Sequence, residues 1–247
     1  MRRSLSLLPT CKSTILVVQV VDQAATQPGE DMKPLKIGVL LFPHVTALDL
    51  VGPVQVFAAA TGAEVHLVWK DLAPVPVDSG YSIVPTATLE TCPQVDLLCV
   101  PGGPGQVPLR DDAELCHWLQ RQGEAASWVT SVCTGSLLLG AAGLLKGYRA
   151  ASHWNYREHL AAFGAIPDTG RVVQDRNRIT GGGCTAGIDF ALQVVAHIFG
   201  EQEAKEIQLF IEYAPRPPFN SGRPEDSDEL TVDRVRNRLA NLRKTLA

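Results

Sequence analysis

From Lys36 onward, short continuous apolar runs alternate with segments whose apolar residues recur at helical spacing. The run from Lys36 to Phe42 is apolar at nearly every position, the pattern of a strand covered on both faces. Pro53 to Ala60 reads as a helix, with Pro53 in its first turn, and Ala63 to Trp69 alternates as a second strand. Residues Pro74 to Thr88 mix Pro, Gly and β-branched residues and predict a hairpin excursion. Asp96 to Val100 is a further buried strand, ending in the loop from Pro101 to Gly105. Asp111 to Gln122 predicts a helix with Leu115, Trp118 and Leu119 on one face; a strand ends at Val132, and a helix follows from Thr134 to Ala142. Gly147 to Ser152 predicts a short strand, and Asn155 to Phe163 a helix closed by Gly164. A hairpin turns at Asp175, Arg176 and Asn177, Thr180 runs into Gly181, Gly182 and Gly183, and helices span Thr185 to Phe199 and Glu201 to Tyr213. Such alternation predicts an α/β domain with a mainly parallel sheet and helices on both faces. Its site is expected at the carboxyl ends of the strands, in the loops 43–52, 101–106 and 132–135.

Beyond this core, residues 1–31 carry Arg2 and Arg3 and a short apolar run from Ile15 to Val21 that Gln19 interrupts. They read as an extension outside the core, disordered, with Met32 just before the first strand and no good cleavage site. Residues 32–224 form the expected catalytic domain. Residues 225–247 form a charged, helix-prone tail that can cap a neighbour. No apolar stretch is long enough to cross a membrane. Net charge is −4, which offers no basic footprint for nucleic acid and leaves a small molecule or a second copy as the expected partner. The six cysteines match no zinc or disulfide-scaffold spacing, and a reducing cytoplasm fits them best.

The chemistry centres on Cys133. An apolar strand ends there and an Ala/Leu-rich helix begins at once, so the sulfur sits beside helix N-terminal amides, which favour thiolate. Asp49 lies between Leu48 and Leu50 at the end of the first strand. Thr46 three residues earlier resembles a capping box, but Pro53 moves the expected helix start beyond Asp49. Partial desolvation there raises a carboxyl pKa and makes a proton donor. Pro101, Gly102 and Gly103 match no phosphate-loop pattern and contain no basic residue, so they offer exposed amides near the cysteine turn. His44 is placed to line the pocket. His153 reads as a hydrogen-bonded histidine near a helix start, and Asp189 as structural support. The histidines are scattered without HxxxH or HExxH, so no metal site is expected.

These pieces together resemble the ThiJ/PfpI superfamily, on matching order and spacing from Lys36 to Pro224. The matching segments are Lys36 to Phe42, Asp49 to Pro53, Val100 to Gly103, Ser131 to Gly135, Ala151 to Trp154, Thr180 to Gly183 and Thr185 to Asp189. The resemblance implies a flavodoxin-like three-layer sandwich with a nucleophile elbow. Within the superfamily the chain is most similar to the isonitrile hydratases, with Asp49 on the first loop, Cys133-Thr134-Gly135 at the elbow and a similar segment from Glu212 to Asn220. Peptidase-like members have histidine after the nucleophile; Thr134 stands here. That resemblance implies hydration of an isonitrile to an N-substituted formamide with Cys133, Asp49 and Thr134 as catalytic residues. Gly102, Gly103 and His44 would bind substrate or polarise the adduct. It further implies no cofactor and a homodimer; the charge and the lack of a long apolar stretch already point away from nucleic-acid and membrane partners. One departure is Cys184, where an aliphatic residue is expected; no role is expected of it. A glyoxalase or deglycase acting on α-oxoaldehydes, or a stand-alone ligand-sensing domain like those of AraC-type regulators, are the alternative readings.

Overall fold

The computed structural model describes residues 33–245; the expected extension over residues 1–31 lies outside them. The apolar runs become β1 (Leu35–Leu40), β2 (Ala63–Trp69), β3 (Ala87–Thr88), β4 (Leu97–Val100), β5 (Trp128–Val132), β6 (Val172–Asp175) and β7 (Arg178–Gly181). They form one sheet in the order β6-β7-β5-β4-β1-β2-β3, parallel throughout except for the β6–β7 hairpin. Val39 pairs with Leu67 on one side and Cys99 on the other, while Val100 pairs with Ser131 and Val132 with Gly181. The carboxyl ends of β1, β4, β5 and β7 therefore share one edge.

Two groups of helices cover the sheet. On one face, α1 (Ala47–Ala58) packs against α4 (Ala186–Phe199), which packs in turn against α5 (Glu201–Phe210). Phe57 and Phe190 meet edge to face across the α1–α4 contact, ring centroids 6.2 Å apart. On the other face, α3 (Gly135–Ala141) packs between α2 (Ala113–Ala125) and a 3₁₀ helix (Arg157–Phe163). Ile37, Val39, Leu97, Leu98, Val129 and Val132 are buried between these layers, each contributing roughly 1.5–3 kcal/mol of apolar burial. The last helix, α6 (Glu229–Thr245), follows an irregular stretch and is largely exposed. The α/β, mainly parallel, three-layer arrangement is the expected one.

Several boundaries differ from expectation for identifiable reasons. Helix α1 starts at Ala47, ahead of Asp49, and carries Pro53 inside it. Thr46 occupies the N-cap position, but its hydroxyl caps nothing. Instead the carboxylate of Asp78, on the 74–88 excursion, accepts the Ala47 N–H at 3.1 Å. An acceptor supplied from elsewhere in the chain satisfies the helix end, so Pro53 need not mark it. The excursion is a small hairpin, with Val75 paired to Ile83, docked by Pro76 O accepting the His44 N–H. Helix α2 starts at Ala113 because Asp112 accepts the Leu115 N–H. Helix α5 stops at Phe210, short of Tyr213, in a Schellman motif. Glu212 sits at φ 50°, and the carbonyls of Gln208 and Leu209 accept the N–H groups of Tyr213 and Glu212. The segment expected as a helix from Asn155 is 3₁₀ from Arg157 to Phe163 and closes on Gly164 at φ 73°.

Candidate active site

Cys133 follows directly on β5 at φ 56°, a conformation uncommon for a residue with a side chain. Four hydrogen bonds hold it there. Its N–H donates to the carbonyls of Gly181 and Gly182, and its own carbonyl accepts the Ser136 and Ser152 hydroxyls at 3.1 and 3.0 Å. The turn is tight: a Cβ on Gly135 would lie 2.0 Å from the Val100 carbonyl oxygen. Glycine is therefore required after Thr134 for α3 to start against the end of β4.

Asp49 lies in the first turn of α1 with no exposed surface, and neither carboxyl oxygen has a hydrogen-bond partner of good geometry. Burial holds its pKa well above the usual carboxylate range. The neighbouring Cys184 adds to the rise, while the Cys133 thiol and the Gly102 amide pull the other way. The group is thus a neutral acid beside a sulfur. Its walls are close, since a Cβ on Gly102 would lie 2.9 Å from Asp49 Oδ2 and 2.5 Å from the Thr134 nitrogen.

The third member is Cys184, which the sequence pattern left without a role. An oxygen of Asp49 and the sulfurs of Cys133 and Cys184 all lie within 4.8 Å of one another. The two thiols share a proton. The Cys133 contact draws Cys184 down to about 6, whereas the Cys184 contact and burial push Cys133 well above the thiol range. This corrects the expectation that helix amides alone make Cys133 a thiolate. The Thr134 amide does favour its ionisation, but the contact with Cys184, distant in sequence, and burial outweigh it. The pair together carries the negative charge at neutral pH. The three groups are also near enough to share one cation, which the scattered histidines gave no reason to expect.

The Gly103 amide is not free to polarise a substrate as expected, because it donates to Thr134 Oγ1 at 3.0 Å. That bond leaves the hydroxyl proton of Thr134 available to donate. Gly103 itself, at φ 143°, lies where a Cβ would meet the Thr46 nitrogen at 2.4 Å, so its part is to bring two loops together. His44 does not line the cavity; its backbone nitrogen and oxygen join the hairpin to the glycine loop through Pro76 and Gly105. His153 does line the cavity, with Nδ1 accepting the Asn155 N–H at 3.3 Å and burial lowering its pKa, so it is neutral. Asp189 accepts the Tyr213 hydroxyl at 3.0 Å and pairs with Arg171, away from the sulfurs.

Cys133, Cys184 and Thr134 open into a cavity of about 380 Å³. Its walls include Thr46 and Gly103 from the first two site loops, Asp78 and Ser79 from the hairpin, and Leu239 and Leu242 from α6. Sequence reasoning missed Asp78, Ser152 and Cys184. A polar residue in a turn, a serine before a histidine and a cysteine after three glycines carry no signal until the fold joins them.

The sequence profile of the DJ-1/PfpI family matches residues 35–197. The isonitrile hydratase of Pseudomonas putida is 52% identical over 206 residues, covering 83% of this chain and 90% of that protein. The transcriptional regulator GbdR of Pseudomonas aeruginosa is 32% identical over 192 residues, covering 74% of this chain but only 51% of that protein. Among solved structures, a THiJ/PfpI family protein from Pseudomonas syringae superposes with a TM-score of 0.84 at 44% identity, covering 92% of this chain and 98% of that one. The profile spans the strands and turns that hold Cys133 and Asp49, and with the 52% identical relative it shows that this chain belongs to the DJ-1/PfpI family.

Proposed function

We propose that the chain is a cofactor-independent isonitrile hydratase, and that Cys133, Asp49 and Thr134 carry the reaction. The observation that carries this reading is a fully buried Asp49, its pKa raised by burial, beside the sulfur of Cys133, which lines a small cavity. An isonitrile carbon accepts both a nucleophile and a proton. Cys133 sulfur bonds to that carbon while Asp49 delivers a proton to the same atom, giving a thioimidate. Water, held by the Thr134 hydroxyl, adds to the C=N bond. The thiol then leaves, and the product is an N-substituted formamide. The Cys133–Cys184 pair supplies the charge, since passing the shared proton to Cys184 frees Cys133 as thiolate. The 52% identity to the Pseudomonas putida enzyme supports the same substrate class.

The reading extends to a homodimer in the cytoplasm. Leu209, Phe210 and Phe219 are 81, 73 and 80% exposed, apolar surface suited to a second copy. Unpaired thiols, among them Cys92, Cys99, Cys133 and Cys184, suit a reducing compartment. No helix of the described residues is long and apolar enough to cross a membrane. The net charge of −4 disfavours nucleic acid.

The test is product analysis with cyclohexyl isonitrile by NMR. A formamide is expected from the native protein and none from Cys133→Ala. No formamide from the native protein overturns the activity, and undiminished turnover in Cys133→Ala overturns the covalent route.

A further inference from the structure

The hydration chemistry forms no bond to Cys184, yet this thiol is placed against the nucleophile. It precedes Thr185, the N-cap residue of α4, and lines the same cavity as Cys133. The two sulfurs lie within 4.8 Å of each other. Their backbones are joined as well: the Cys133 N–H donates to the carbonyl of Gly182, two residues before Cys184, at 2.8 Å. A disulfide requires Cβ atoms roughly 3.5–4.5 Å apart and side chains turned toward each other. The sulfurs, already within 4.8 Å, have to close to the bonded separation of about 2.05 Å. The remaining described cysteines behave differently. Cys99 is fully buried with its thiol pushed up to about 12, Cys92 is pushed up to about 11 by burial, and burial raises the Cys116 thiol as well, so all three favour the unreactive protonated form.

We propose that Cys133 and Cys184 are a redox modification site, in which Cys184 resolves an oxidised Cys133 into a reversible intramolecular disulfide when a hydroperoxide enters the cavity. The Cys133 thiolate attacks the terminal oxygen of the hydroperoxide. The O–O bond breaks, and the leaving alkoxide or hydroxide takes the Asp49 proton. Cys133 has then lost two electrons and is a sulfenic acid, while the hydroperoxide is reduced to an alcohol or water. Cys184 thiolate next attacks the Cys133 sulfur, and the S–O bond breaks. The proton given up by the Cys184 thiol, taken by the Asp49 carboxylate left from the first step, passes to the departing hydroxide, which leaves as water. Two thiols and one hydroperoxide give one disulfide, one alcohol and one water. Without the second sulfur the sulfenic acid would meet further peroxide and pass to the sulfinic acid, which thiols do not reverse. The charge shared by the two thiols places a thiolate in the pair at neutral pH, the form both steps need.

The experiment treats the native protein and Cys184→Ile with hydrogen peroxide and reads intact mass, alkylatable thiols and linked peptides, with cyclohexyl isonitrile turnover as a second readout. The native protein is expected to become about 2 Da lighter, and to yield a peptide pair joining Cys133 to Cys184. It should show two fewer alkylatable thiols than the six in its sequence. Dithiothreitol should restore both mass and turnover. Cys184→Ile is expected to gain about 32 Da on Cys133, a mass that dithiothreitol does not reverse. Cys184→Ala serves the same purpose if the isoleucine variant misfolds. A native protein that goes directly to the sulfinic mass, or that links Cys133 to a different cysteine, overturns the proposal. Only the turnover arm rests on the isonitrile reading, so a protein that forms the linked peptide but hydrates nothing retains this site and loses that function.

Discussion

A carboxyl group with no exposed surface and no well-formed hydrogen bond costs stability wherever it must ionise. Asp49 avoids that cost by staying neutral, because its native pKa lies well above the carboxylate range. In the unfolded chain it titrates near about 4. Above that value the unfolded chain releases a proton that the native state keeps, so this group lowers stability as pH rises until the native pKa is passed. Below it both states bind the proton and the effect vanishes. Asp49→Asn should therefore be more stable than the native protein at pH 8, by on the order of 1 kcal/mol, with the gap closing as pH falls toward 4. Urea melts across pH check this, and a variant less stable than native at pH 8 would contradict a neutral Asp49. On the proposed mechanism the same substitution removes the proton donor, and it should lower formamide production by at least about a hundredfold. In the native enzyme, turnover should decline on the alkaline side as Asp49 loses its proton. Gly102 gives the complementary case. A Cβ there would lie 2.5 and 2.7 Å from the nitrogen and hydroxyl of Thr134, so Gly102→Ala should cost roughly 1–3 kcal/mol and lower kcat, measured by melting and steady-state kinetics.

At the scale of elements, the start of α1 shows how a cap can be borrowed. Asp78 accepts the Ala47 N–H, while the hydroxyl of the N-cap residue Thr46 bonds to nothing there. Asp78→Ala should destabilise the protein by about 1 kcal/mol. Asp78→Asn, which keeps an acceptor oxygen, should cost much less, and Thr46→Ala should leave the melting temperature nearly unchanged. Equal losses for Thr46→Ala and Asp78→Ala would mean that the sequence-local cap is the operative one. This element also marks the limit of what the sequence discloses. The strand from Lys36, the face of Leu115, Trp118 and Leu119, and the elbow at Cys133 are legible because each depends on residues adjacent along the chain. The start of α1 is not, since Pro53 signals a first turn locally and the overriding acceptor comes from the hairpin. The role of Cys184 is hidden for the same reason. Gly181 and Gly182 signal a turn, but only the pairing of β7 with β5 sets the next cysteine beside Cys133. The Gly103 amide looked free because its acceptor, Thr134 Oγ1, belongs to another strand-end loop.

Over the whole molecule, the cavity draws its floor from the sheet edge and part of its wall from a helix that barely belongs to the core. Leu239 and Leu242 of α6 line the cavity, and Arg238 joins them. Most of this helix is nonetheless exposed, with Leu230 at 60% and Leu242 at 47%. A helix that buries so little contributes little to folding, because helix stability in a protein comes mainly from packing its apolar face. Its effect should fall on the substrate instead. Removing residues 225–247 should leave the melting temperature within about 2 °C of native, since the sheet and its two helix layers are untouched. The same truncation should raise KM for cyclohexyl isonitrile roughly tenfold, because apolar contacts on one side of the ring are exchanged for water. The kcat at saturation should change far less, as Cys133, Asp49 and Thr134 are held by β5, α1 and the turns between them. Leu239→Asp in the full chain should reproduce the KM change without shortening the protein. A truncation that lowers the melting temperature by about 10 °C or more would make α6 part of the folding core, and an unchanged KM would mean that substrate never reaches the wall that Leu239 and Leu242 provide.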